Sequence, residues 1–102
     1  MVKGDVVWTR TAREQRRAVL KYWTIRNNST KYSEKLIELL SKRIEIIQKY
    51  PESFPMTNYP NTRFSAMGHF SIFFKHIDQQ LIITAFWDNR QEPGKLDTLL
   101  KS

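Results

Sequence analysis

The sequence predicts an α+β domain in which a two-helix hairpin packs on a twisted, mainly antiparallel sheet. Two stretches, residues 11–26 and 30–50, repeat apolar side chains at helical spacing. From residue 62 the apolar period changes to two, which is typical of strands. A short β-prone run at residues 5–9 comes before both helices. The predicted order is β-α-α-β-β-β, in a single domain that spans residues 1–102.

The first predicted helix begins at a capping-box spacing and runs to about Arg26. In such a box Thr11 would accept a hydrogen bond from the Glu14 amide, and Glu14 would reach back to the amide of Thr11. Four apolar residues recur at helical spacing and predict the buried side: Ala12, Val19, Leu20 and Trp23.

The second predicted helix follows the polar break at residues 27–30 and ends before Pro51, because proline cannot continue the hydrogen-bond ladder. Its apolar stripe consists of Leu36, Ile37, Leu40, Ile44 and Ile47. Acidic and basic residues alternate on its other side, which is typical of a solvated surface. Two adjacent amphipathic helices of this kind predict a helical hairpin.

The second half of the chain predicts three strands, at residues 63–67, 70–75 and 81–87. The last of these has apolar residues on both faces, so we expect it inside the sheet. Trp87 is predicted to belong to the core, in phase with Ile83 and Ala85. A last helical turn is predicted from Leu96, Leu99 and Leu100.

Composition excludes several classes of function. The chain has no cysteine, which rules out disulfides, thiolate metal sites and cysteine nucleophiles. No apolar run approaches the length of a membrane span, and the first residues lack the apolar core of a signal peptide, so we expect a cytoplasmic protein. With 17 Lys+Arg against 10 Asp+Glu, the net charge of +7 indicates a polyanion or an acidic protein as partner. No metal and no cofactor are expected.

Much of the positive charge lies along the first predicted helix. Its basic residues are Arg10, Arg13, Arg16, Arg17, Lys21 and Arg26. Such a stripe is a solvated face, a site for RNA phosphates, or a contact for an acidic protein segment. The RNA-binding candidates are Arg13, Arg16, Arg17, Lys21 and Lys49.

Four segments together resemble a known family. They are residues 7–12 at the start, residues 28–36 at the helical join, Pro51 followed by a loop and Arg63, and the run at residues 87–96. Their order and spacing resemble the RelE/ParE superfamily, the toxins of type II toxin–antitoxin modules. The superfamily fold agrees with the pattern derived above.

The resemblance implies a toxin with a cognate antitoxin protein as partner. RelE-type members cut mRNA in the ribosome, and ParE-type members poison DNA gyrase. Ribosome-dependent mRNA cleavage is the leading hypothesis, with ribosome and mRNA as further partners. The alternatives are a non-enzymatic gyrase inhibitor and a non-toxic family member that binds an antitoxin, because one fold serves several functions.

The resemblance also gives three candidate catalytic residues, namely Arg63, Arg90 and Asp88. Family ribonucleases keep an arginine at the position of Arg63, on the concave face of the sheet, where a guanidinium stabilises charge on the scissile phosphate. Arg90 follows the last strand and is expected to reach the same face. Asp88 is either a base or an anchor for one of these arginines, and each arginine also has a purely structural interpretation.

The groups that would transfer protons are scarce. His69 and His76 have the right ordinary pKa for acid–base catalysis but are expected at the surface. Residues 52–62 contain no lysine, although RelE-like enzymes carry lysines in the stretch before their arginine. The sequence therefore keeps the gyrase alternative open.

Overall fold

The structure is a computed structural model that describes residues 5–90. The strands and helices are β1 (Val6–Trp8), α1 (Arg10–Asn27), α2 (Lys31–Lys49), β2 (Arg63–Met67), β3 (Phe70–Ile77) and β4 (Gln80–Asp88). A single 3-10 turn at Pro51–Ser53 follows α2. The predicted α+β class and element order are confirmed, and the predicted last helical turn lies outside the described residues.

The four strands form one mixed sheet in the order β1-β4-β3-β2. β1 runs parallel to β4, while the other two pairs are antiparallel. The Leu81 amide donates to the Asp5 carbonyl at 2.9 Å, and the Thr9 amide donates to the Ile83 carbonyl at 3.0 Å. β4 therefore lies inside the sheet, as its apolar residues on both faces predict.

The start of α1 differs from the predicted capping box. α1 begins at Arg10, and the cap is Thr9, whose hydroxyl accepts a hydrogen bond from the Ala12 amide at 3.2 Å. Glu14 pairs instead with Arg10, at 3.0 Å. The reason is that Thr9 is already bonded to β4 in an extended conformation, so the helix begins directly after it.

Both helices pack on one face of the sheet and form the main core. Its buried residues come from α1 (Ala12, Val19), from α2 (Leu36, Leu40, Ile47) and from the strands (Met67, Phe70, Ile72, Phe74, Leu81, Ile83, Phe86). A smaller cluster of Phe73, Ala85 and Trp87, with Phe64 against it, lies on the other face of the sheet. Among the described residues, no helix is both long and apolar enough to cross a membrane.

A β-bulge in β4 corrects the predicted phase of Trp87. Phe73 pairs with Ala85 and Phe74 pairs with Ile83, so Thr84 is an extra residue in β4. Ile83 consequently faces the helices, whereas Ala85 and Trp87 face away. Trp87 is buried, as predicted, but it is not in phase with Ile83.

Candidate functional site

Arg63 is the first residue of β2 and fastens the preceding loop to the sheet. It lies opposite Phe74, a main-core residue, so its side chain leaves the sheet on the side of the helices. Its Nη1 donates to the Phe54 carbonyl at 2.7 Å and to the Glu52 carbonyl at 3.4 Å. The Phe54 ring in turn packs edge-on against Phe74, with ring centres 5.8 Å apart. The guanidinium is therefore engaged in holding the loop that follows α2.

Asp88 and Arg90 are brought together at the end of β4. Arg90 donates from Nε to Asp88 Oδ1 at 2.9 Å and from Nη2 to Oδ2 at 2.7 Å. These hydrogen bonds lower the pKa of the Asp88 carboxyl, although its partial burial opposes the effect. The Arg90 guanidinium also lies 5.1 Å from the centre of the Trp23 ring in α1. A carboxylate with a lowered pKa that is held by an arginine is a weak base near neutral pH.

The three candidate catalytic residues do not converge. Arg63 lies opposite Phe74, whereas Asp88 lies opposite Phe70, four residues away along β3. That separation is about 13 Å along the strand alone. The structure thus joins Asp88 to Arg90 and leaves Arg63 at a distance, on the side of the helices rather than on the open face. The catalytic role of each residue stays a prediction.

The two histidines lie apart from Arg63 and are both exposed, as expected. His69 lies in the turn between β2 and β3, where its carbonyl accepts the Asn89 amide at 2.8 Å. His69 contributes a little to the lowered pKa of Asp88. His76 pairs with Leu81 near the opposite end of β3. Neither histidine is placed to transfer a proton beside Arg63.

Most of the RNA-binding candidates meet on one side of α1. They line a groove of about 560 Å³, which we call the basic groove, made of Arg13, Arg16, Arg17, Leu20, Lys21, Thr24 and Ile25. Four of the five predicted residues are present, while Lys49 lies at the end of α2 and is not in this set. No acidic residue is among these lining residues. The Arg16 guanidinium lies 4.2 Å from the centre of the Trp8 ring in β1.

An aromatic pocket on the open face of the sheet was not predicted from the sequence. Its volume is about 510 Å³, and its lining consists of Met56, Thr57, Asn58, Tyr59, Phe64, Ser71 and Phe73. Phe64 stacks on Phe73 at 6.1 Å, and Tyr59 meets Phe73 edge-on at 6.5 Å. The pocket forms because the proline-containing loop covers part of the sheet, and strand alternation alone does not reveal that cover. These lining residues offer rings, hydroxyls and an amide, and they include no carboxylate, histidine or lysine.

Comparison with known proteins identifies the fold. No protein-family model and no curated protein matches this sequence. A solved chain from the chromosomal ParDE TA system of P. aeruginosa superposes with a TM-score of 0.70 at 15% sequence identity. The superposition covers 82% of this chain and 94% of that chain. The chain has the RelE/ParE fold.

Within this RelE/ParE fold, the charged candidate residues form two groups, which differ in whether the charged side chain has a bonding partner. Arg63, Asp88 and Arg90 are committed to contacts that hold the fold together. The cationic side chains of the basic groove, by contrast, form no ion pair with a carboxylate among residues 5–90. The described residues also contain no group of three or more carboxylate or histidine side chains that could hold a metal ion.

Proposed function

We propose that this protein is the toxin of a type II toxin–antitoxin pair, with an antitoxin protein as its stable partner in the cytoplasm. The observation that carries the proposal is the shared fold, which covers 94% of a chain from a ParDE TA system. The order and spacing of the four sequence segments between residues 7 and 96 support the same assignment. The net charge of +7 suits a partner that is acidic.

The proposed mode of action is binding to DNA gyrase, as in ParE-type members, rather than mRNA cleavage. Cleavage by an RNA 2′-hydroxyl needs a base, an acid and a cation around one phosphate. Here Arg63 is bonded to two backbone carbonyls, and Asp88 is neutralised by Arg90. Among residues 5–90, no base and acid converge on Arg63, which favours the non-enzymatic alternative over the ribosome-dependent one.

Ribosome-dependent mRNA cleavage is the second candidate, and two surfaces favour it. The basic groove offers four cationic residues for RNA phosphates, and the aromatic pocket offers rings on which a base can stack. This mechanism would require Arg63 to leave the Phe54 carbonyl and reach the open face of the sheet.

Inducible expression in a bacterial host tests the toxin proposal. We expect growth arrest that is relieved when the reading frame beside this gene is co-expressed as the antitoxin. Recovery of soluble, folded protein from the same cells is the necessary control. Folded protein without growth arrest would contradict the toxin assignment and would favour the non-toxic alternative.

A further inference from the structure

Aromatic and arginine side chains gather where the end of α1, the start of α2 and the end of β4 meet. We call this set the hairpin-tip cluster, and its members are Tyr22, Trp23, Arg26, Tyr32 and Arg90. We propose that the cluster is the surface through which the protein binds an acidic face of its target protein. This inference rests on the proposed function, because gyrase is the target that the proposed function names. It goes further by assigning the contact to particular residues, none of which lines the basic groove or the aromatic pocket.

The Trp23 ring lies at the centre of the hairpin-tip cluster. Tyr22 meets it edge-on with ring centres 5.2 Å apart, and Tyr32 lies against it at 4.9 Å. The guanidinium groups of Arg26 and Arg90 lie 5.8 Å and 5.1 Å from the centre of the same ring. Arg26 also donates a hydrogen bond to the Tyr22 hydroxyl at 3.1 Å. Because these contacts order the side chains before a partner arrives, little side-chain entropy is lost on binding.

The rim of the hairpin-tip cluster is open to solvent, whereas its centre is half-buried. Tyr22 is 52% exposed and Tyr32 is 36% exposed. Arg26 and Arg90 are exposed as well, while Trp23 packs against the main core. Tryptophan, tyrosine and arginine are the residue types most enriched among those that carry the binding energy of protein interfaces. The composition of this exposed set is therefore that of a protein contact.

The charge of the hairpin-tip cluster is positive and specifies an acidic partner. Arg26 forms no ion pair with a carboxylate among residues 5–90, and Asp88 offsets only the charge of Arg90. Residues 21–33 contain two further cations and no aspartate or glutamate. A partner surface of opposite charge associates faster and is preferred over wrong partners.

The geometry of the rings favours a protein partner over a nucleic acid. Single-stranded nucleic acids bind by stacking their bases on open aromatic rings. Two rings and two guanidinium groups already contact Trp23, so the largest ring of the cluster is not free to stack on a base. The Arg26 guanidinium, by contrast, uses Nη1 for the Tyr22 hydroxyl and has further N–H groups that a carboxylate can accept from.

Binding of the full chain to purified DNA gyrase tests the proposal, with surface plasmon resonance as the measurement and DNA left out so that it cannot mediate the contact. The double variant Tyr22→Ala, Arg26→Ala removes two rim side chains and leaves Trp23 and Arg90 in place. We expect its Kd for gyrase to rise by at least about tenfold. Binding of the unmodified chain should also weaken when salt is raised, because exposed charges are screened.

A second double variant on α2 is the matched control. Lys42→Ala, Tyr50→Ala also removes one exposed cation and one exposed tyrosine, whose exposed fractions are 67% for the Lys42 side chain and 62% for Tyr50. Its affinity for gyrase should equal that of the unmodified chain. Circular dichroism and thermal unfolding verify that both double variants are folded.

Several outcomes would overturn the inference. If the unmodified chain and the Tyr22, Arg26 variant bind gyrase equally well, the gyrase proposal stands and this surface is wrong. The surface is equally wrong if the α2 control weakens binding as much as the cluster variant does. A cluster variant that keeps gyrase but loses a single-stranded RNA oligonucleotide would assign the cluster to nucleic acid. If the unmodified chain does not bind gyrase, the proposed mode of action itself fails, and this inference fails with it.

Discussion

Arg90 donates two side-chain hydrogen bonds to the carboxylate of Asp88, of 2.9 Å and 2.7 Å. Its guanidinium also lies against the Trp23 ring of α1. One side chain therefore connects the end of β4 with the last turns of the first helix. The Asp88 side chain is only 14% exposed, so this pair is better shielded from water than the exposed pair of Glu38 and Lys42.

The first prediction concerns the pH dependence of stability. The pKa of Asp88 is lowered in the folded state below its ordinary value of 3.8, chiefly by the Arg90 hydrogen bonds. Its contribution to folding is therefore complete above about pH 4 and disappears as the pH falls through the lower, folded pKa. Asp88→Asn should reduce the free energy of unfolding by about 1 kcal/mol at neutral pH. Urea unfolding between pH 7 and pH 2.5 should show this difference shrinking at the acid end.

Glu38→Gln is the matched control for this prediction. It removes the carboxylate of an ion pair whose two side chains are each about two-thirds exposed. Its effect on the free energy of unfolding should therefore be close to zero. A difference between Asp88→Asn and the unmodified chain that does not change with pH would contradict the assigned role of the carboxylate.

The second prediction separates structure from catalysis at Arg63. Arg63→Met keeps most of the aliphatic volume but removes the donor to the Phe54 carbonyl, which then loses its partner. We expect the free energy of unfolding to fall by about 1–3 kcal/mol. Arg63→Lys, which retains a donor, should lose less. Denaturant unfolding measures both variants.

Activity measured per folded molecule completes the test at Arg63. The Met variant should keep its effect on the target once the loss of folded protein is taken into account. Complete loss of toxicity with unchanged stability would contradict the structural role and would place Arg63 at the substrate.

The third prediction concerns the two-residue turn between β3 and β4. Asp78 and Gln79 have positive φ angles, of 51° and 65°. These angles reverse the chain within two residues, so that Ile77 pairs with Gln80. This is the turn geometry that favours asparagine or aspartate followed by glycine. Gln79→Gly should therefore stabilise the protein by about 0.5–1 kcal/mol, since glycine avoids the left-handed penalty. Thermal unfolding would record the change.

Gln80→Gly, at the next residue, controls for the general effect of introducing a glycine. Gln80 is the first residue of β4 and pairs with Ile77 in an extended conformation that glycine disfavours, so Gln80→Gly should destabilise the protein. If both substitutions lowered the unfolding temperature, the turn assignment would be wrong.

The helices and strands were predictable because their signals are local. The apolar period of α2 and the stop at Pro51 give both the type and the end of that helix. The apolar character of residues 81–87 on both faces predicts an internal strand, and β4 is internal. The basic groove was predictable in outline because helical spacing places Arg13, Arg17 and Lys21 on one side of α1.

The features that sequence reasoning missed depend on distant partners. Thr9 becomes the helix cap because β4 fixes its backbone, which no local pattern reveals. Thr84 is an extra residue only because β4 pairs with β3 in this register, so β4 taken alone does not reveal it. The extra residue changes the phase of Trp87 relative to Ile83. The acceptors of Arg63 are backbone carbonyls, which every residue has, so its role in holding the loop leaves no mark in the sequence.

The central claim is that the protein acts by binding DNA gyrase. The most direct test measures the effect on gyrase and on mRNA in growing cells after the protein is induced. Covalent gyrase–DNA complexes and the 5′ ends of cellular mRNA are measured in the same cultures, before and after growth stops. We expect trapped gyrase–DNA complexes to accumulate, with mRNA ends unchanged. New mRNA 5′ ends without trapped gyrase would contradict binding to gyrase as the mode of action and would favour mRNA cleavage.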